Sequence, residues 1–266
     1  MLRRPAFLAN ILLCCGVTGS AMPALGQAAS GSAQIVEDAR GDYYNLAREG
    51  LKEFRCGVMM EWPVATVPAN ADTRDRDKLV AAMGQMHLVA TVGTHGAPRV
   101  EFQFGGTVRN DDLAQNVRAA SAAAQKSLSG ALDEFSSLLF GSPFPPDRDY
   151  HVEDQGDTLR IAFGSDEVRI IETMNKNHAI EEIIIATQHS TVTVRPGYKR
   201  IEKAFVPAAI DSKVEAAGAD PVELHVDIAY QAVDGFELPQ TVTVRDKQLS
   251  AGEPVPFKFS GCQVTR

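Results

Sequence analysis

Beyond its first 26 residues the chain has no run of 18 uninterrupted apolar residues, so no later segment reads as a membrane-spanning helix. Cations are in short supply too. Lys and Arg number 26 against 34 Asp and Glu, and the first 26 residues hold two of those cations and no acid. The remainder therefore carries a net charge of about −10. A nucleic-acid partner needs clustered cations to neutralise phosphate, and anionic lipid head groups call for a polybasic patch. Neither is present. Cysteine is scarce: of four, Cys14 and Cys15 lie in the leading segment, which leaves Cys56 and Cys262.

The signatures of familiar enzymes are equally sparse. The six histidines form neither HExxH nor an i, i+4 pair, and the cysteines lack zinc spacing, so no metal site is expected. No GxSxG, no SxxK and no GxxxxGK[ST] occurs, nor a GxGxxG between a strand and a helix. No cofactor is expected. Glu181 and Glu182 are adjacent on a strand and point to opposite faces, so they cannot flank one bond together. His151 beside Glu153 and Asp154 reads as a strand edge, and His95 as a solvated turn residue. Triads assemble from distant residues, so an enzyme is disfavoured rather than excluded.

The first 26 residues are read as a secretory signal peptide. Arg3 and Arg4 precede an apolar run from Ala6 to Val17, and Ala24-Leu-Gly26 supplies small residues at the cleavage position. Residues 27–266 then form one exported domain, periplasmic or secreted. In an oxidising compartment Cys56 and Cys262 invite a disulfide between the first strand and the last.

Apolar residues from Ile35 to Leu51 recur at helical spacing, predicting an amphipathic helix over 34–53. A strand near Phe54–Trp62 and a hairpin bearing Phe102 and Phe104 follow. Asp111 or Asp112 caps a second helix, with an apolar stripe through Leu113, Val117, Ala120, Ala124, Leu128, Ala131, Phe135 and Leu138, ended by Gly141-Ser-Pro-Phe-Pro-Pro146. From Tyr150 to Val264 short alternating runs are separated by turn residues, the pattern of a consecutive antiparallel meander. The expected fold is α+β and mainly antiparallel β. It is a strongly curved, open, barrel-like sheet with two amphipathic helices on its concave face. Imperfect coverage of that face would leave an apolar cavity. Phe102, Phe104, Leu128, Phe135 and Leu138 are its candidate ligand-binding residues.

The order of elements, the segment Tyr44-Asn-Leu-Ala-Arg-Glu-Gly-Leu51 and the closing segments Ile228–Pro239 and Pro256–Val264 resemble the periplasmic outer-membrane lipoprotein carrier superfamily (lipoprotein-sorting-like proteins). The resemblance implies an unclosed β-barrel whose helices line or lid a cavity for acyl chains. It implies a non-catalytic binder of lipid or lipoprotein. The alternatives are an envelope scaffold that docks a protein partner, and a hydrolase with dispersed catalytic residues.

Overall fold

The computed structural model describes residues 28–61, 81, 84, 86–94, 96–104, 111–246 and 252–266. The expected leader, His95 and the segment around Pro68 lie outside them. Helix α1 spans Ala28–Gly41 and helix α2 spans Asp111–Leu139. Strands β1 (Glu53–Met60), β2 (Met86–Gly93) and β3 (Arg99–Phe104) precede α2. After it come β4 (His151–Asp154), β5 (Thr158–Gly164), β6 (Val168–Asn175), β7 (Ile180–Thr187) and β8 (Ser190–Ile201). The last four are β9 (Ala204–Ala216), β10 (Val222–Val233), β11 (Phe236–Arg245) and β12 (Pro254–Thr265).

All twelve strands form one antiparallel sheet in the order β3-β2-β1-β12-β11-β10-β9-β8-β7-β6-β5-β4. Hairpin after hairpin carries the chain from β4 to β12, and the last strand returns beside the first. The sheet stays open, with β3 and β4 as its edges. Its curvature follows from what α2 reaches. Gln125 donates to the Val100 carbonyl on β3, while Ser127, two residues on, donates to Asp246 at the end of β11. Those strands stand four places apart, about 19 Å if the sheet were flat. Side chains so close on one helix touch both only because the sheet wraps around it.

Alternation sets the inner face. On β1 it is Phe54, Cys56 and Val58; on β5 Leu159, Ile161 and Phe163; on β11 Val242 and Val244. These residues join Leu128, Leu132, Phe135 and Leu139 of α2 in one continuous apolar core. At β12 the parity needs a correction. Val255, Phe257 and Phe259 face inward, so strict alternation would send Cys262 outward. A bulge intervenes: Arg55 pairs with Gln263 but Gly57 with Ser260, and Gly261 takes a φ of 57°. That extra residue turns Cys262 to face Cys56, and the two are disulfide-bonded.

The first helix differs from expectation. It ends at Gly41 rather than continuing to residue 53. Tyr43 instead forms an isolated parallel bridge with Phe205, and the Leu46 N–H donates to the Leu139 carbonyl at 2.8 Å. The apolar residues counted as a helical stripe are buried by tertiary contacts of an irregular segment. Arg48 donates to the carbonyls of Arg40 and Tyr43, satisfying groups that the end of α1 leaves open.

Candidate functional site

The sequence-derived candidates lie on two elements facing one interior. Leu128, Phe135 and Leu138 line the buried side of α2, with Leu128 and Phe135 fully enclosed. Phe102 on β3 is partly buried and packs against the same core. Phe104 ends β3, and its side chain lies outside what is described. Four of the five are thus joined to a common core.

The interior also holds polar groups that apolar periodicity did not flag. Among the described residues, the buried charged side chains are Glu134, Glu172 and Asp246, all acids. Two are paired across the helix–sheet interface. Ser212 Oγ on β9 donates to Glu134 Oε1 at 2.7 Å, and Ser127 Oγ donates to Asp246 Oδ2 at 2.9 Å. Ser127 and Glu134 stand seven residues apart, about 10 Å along a helix. The two-strand step from β11 to β9 is about the same length. The helix therefore crosses the strands with one polar pin over each. Desolvation pushes the Glu134 carboxyl up to about 7, against the opposing effect of the Ser212 hydrogen bond. Its Oε2 has no hydrogen-bond partner.

Glu172 is the more isolated acid. On β6 it alternates inward with Met174, and its cross-strand neighbours are Ile161 and Ile183. Only 2% of it is exposed and Oε2 has no partner. Burial raises its carboxyl well above the usual range. Two residues along the same face, Met174 pairs with Ile180, whose N–H donates to the Tyr43 hydroxyl. Tyr43 contacts Tyr198, Phe205 and Phe144 at ring-centroid distances of 5.3, 5.5 and 5.9 Å, and Tyr150 contacts Phe163 at 5.0 Å. Tyr43 is fixed at both lone pair and proton: its hydroxyl donates to the His178 carbonyl at 2.6 Å and accepts from the Ile180 N–H at 2.9 Å. The Tyr198 hydroxyl oxygen is buried beside it without a partner of hydrogen-bonding geometry. Arg40 donates to the Phe144 carbonyl and pairs with Glu37, and with Arg148 it opposes the burial that raises the Tyr150 phenol.

The outer face offers a different feature. Arg195, Asp211, His225 and Arg245 are successive cross-strand partners on β8 to β11. They border an open depression of about 450 Å³ together with Lys213 and Glu223. Its charges already satisfy one another. His225 lies 2.5 Å from Asp211 and 3.2 Å from Asp227, Arg245 meets Asp227 at 2.9 Å, and Arg195 meets Glu182 at 2.7 Å. This is a solvated ladder, in which each pair adds little stability. At the β4 edge His151 lies 3.1 Å from exposed Glu153, which also meets Arg160. No cluster of metal-ligating side chains occurs among the described residues, and no described helix is long and apolar enough to cross a membrane.

No family model matches the chain, and no curated protein matches it. A solved structure of a Vibrio parahaemolyticus domain, described as an outer membrane lipoprotein-sorting protein domain, is similar at 10% identity and a TM-score of 0.30. The match covers 89% of this chain and 93% of that one. A likeness at that level assigns no role to any residue.

Proposed function

We propose that this chain is an exported, non-catalytic binder and carrier of lipid or lipoprotein acyl chains, working without a cofactor. One observation carries the reading: a single long helix closes the apolar inner face of a sheet whose edges do not meet. Helix α2 is held there by side-chain packing, by Gln125 on the Val100 carbonyl and by the two buried polar pins. Lifting it would break no strand ladder and would open an apolar groove lined by Phe102, Leu128, Phe135 and Leu138, with Phe104 on the same strand. Such a surface suits a flexible hydrocarbon chain better than a polar substrate. The leader-like first 26 residues and the Cys56–Cys262 bond support export to an oxidising compartment, periplasmic or extracellular.

Native mass spectrometry of protein extracted gently from its producing cells tests the reading. Co-purifying lipid, or uptake of an added acyl ligand by the delipidated protein, is the expected result. A clean apo mass with no uptake would overturn it. Turnover in an esterase screen would replace the carrier with a hydrolase.

A further inference from the structure

We propose that α2 is a proton-latched cover: it stays seated on the sheet while Glu134 and Asp133 keep their protons, and lifts to admit an acyl chain once they ionise. The inference rests on the carrier reading and adds a regulation of the same groove. The two acids are neighbours on the helix, Glu134 buried at its seam with β9 and Asp133 partly buried beside it. Each has one enclosed oxygen without a hydrogen-bond partner, Oε2 of Glu134 and Oδ1 of Asp133. What Glu134 does receive is a neutral hydrogen bond, from Ser212 Oγ at 2.7 Å.

No compensating charge faces the seam among the described residues. Helix α2 packs against β2, β3, β9 and β11. The buried polar side chains those strands present are Ser212 and, just past β11, Asp246, itself an acid that accepts from Ser127. Tyr230 on β10 has its ring 6.2 Å from Phe135, and its hydroxyl donates to the Pro207 carbonyl. The remaining charged or titratable groups alternate away from the interior. His87 on β2 neighbours buried Leu88, and Arg99 and Glu101 on β3 flank buried Val100. Asp211 and Lys213 flank Ser212 on β9, with Glu215 one further step out, and on β11 Glu237 and Arg245 neighbour buried Leu238 and Val244. On the helix itself Arg118 and Lys126 are exposed. Ionised in place, Glu134 and Asp133 would therefore be two adjacent like charges beside an apolar interface. Burial holds their carboxyls up to about 7 and about 6. Lifting α2 hydrates both and returns them to the ordinary carboxylate range. The seated state thus binds more protons than the lifted one between about pH 4.5 and 7, and rising pH favours lifting.

Amide exchange of the full chain at about pH 5 and about pH 7.5, corrected for the intrinsic pH dependence of exchange, reads the cover directly. Amides of α2 should be less protected than those of β11 and β12 at both values, and their protection should fall at least about ten-fold between them. Asp133→Asn with Glu134→Gln keeps the shape and should make α2 equally protected at both; thermal unfolding checks that the variant folds. Uptake of dodecanol, whose head group does not titrate in this range, should be faster at the higher pH in the parent and independent of pH in the variant. Exchange of α2 in step with the strands, protection in the parent that ignores pH, or a fall that survives the double substitution overturns the latch, while dodecanol uptake would keep the carrier reading. Exchange that follows the expected profile without any dodecanol uptake supports the latch and removes the carrier reading.

Discussion

The Ser212 hydroxyl on β9 donates a hydrogen bond to Glu134 on α2, and that bond joins the covering helix to the floor beneath it. The acid is 8% exposed and its other oxygen has no partner, so burial dominates and its carboxyl titrates near 7 instead of near 4.5. The sign follows directly. In the unfolded chain Glu134 loses its proton near 4.5, in the folded chain only near 7. Between those values the unfolded state binds fewer protons, so folding stability contributed by this group falls as pH rises. The loss amounts to about 3 kcal/mol. Urea unfolding at intervals from about pH 4.5 to 7.5 should therefore show a downward slope that Glu134→Gln makes shallower, the remainder belonging to the other buried carboxyls, Asp133 and Glu172. An unchanged slope in the variant would locate the proton elsewhere.

The disulfide is expected to matter through the unfolded chain. Cys56 and Cys262 are 206 residues apart in sequence, so the bond closes nearly the whole described chain into a loop. Loop closure of that length is worth about 2–5 kcal/mol in stability. Cys56→Ala with Cys262→Ala should lower the urea midpoint accordingly and leave the strand content by circular dichroism unchanged. A midpoint within error of the parent would mean that β1 and β12 hold their bulged register unaided.

Much of this fold is written in alternation and turn residues. The meander from β4 to β12 shows because Asp154–Asp157, Asn175–Asn177 and Asp234-Gly235 punctuate runs of period two. Helix α2 begins and ends where its Asp pair and Gly-Ser-Pro segment put it. What stayed hidden depends on contacts far apart in sequence. Tyr43, Leu46 and Leu51 keep helical spacing, yet a bridge to Phe205 and a bond to Leu139 hold them in a loop. The bulge at Gly261, which the disulfide requires, leaves no mark in residue type beyond the glycine itself. Glu172 had a readable signal, since it shares strand parity with Ile170 and Met174, but the adjacent Ile171 makes the inner face ambiguous. Glu134 falls seven residues after Ser127 on the apolar side of α2; polarity alone argued for the solvent face.

Tyr43 supplies a prediction about the segment that replaced the expected helix. Its hydroxyl serves both the His178 carbonyl and the Ile180 N–H, tying the stretch after α1 to the turn between β6 and β7. Tyr43→Phe keeps the ring contacts and strands both backbone groups. Leaving buried groups unsatisfied costs about 1–3 kcal/mol, measurable as a drop in unfolding midpoint. Amide exchange at Ile180 should accelerate in the variant, a local effect that a general loosening of the core would not single out.

Glu172 is a charged-type side chain set into an apolar ladder, and that position bears on stability. The carboxyl is flanked by Ile161 and Ile183 across the ladder and has one oxygen without a partner, so folding bears a desolvation cost that no described contact returns. Glu172→Leu removes that cost with a side chain of similar size among apolar neighbours. Replacement of a poorly satisfied buried ionic group by a packed hydrophobe has typically been neutral or stabilising by about 1–4 kcal/mol. The unfolding midpoint should therefore hold or rise, with the largest gain above neutral pH, where the unfolded glutamate is ionised and the buried one resists ionising. A clear loss of stability on this substitution would mean that the carboxyl is satisfied within the fold.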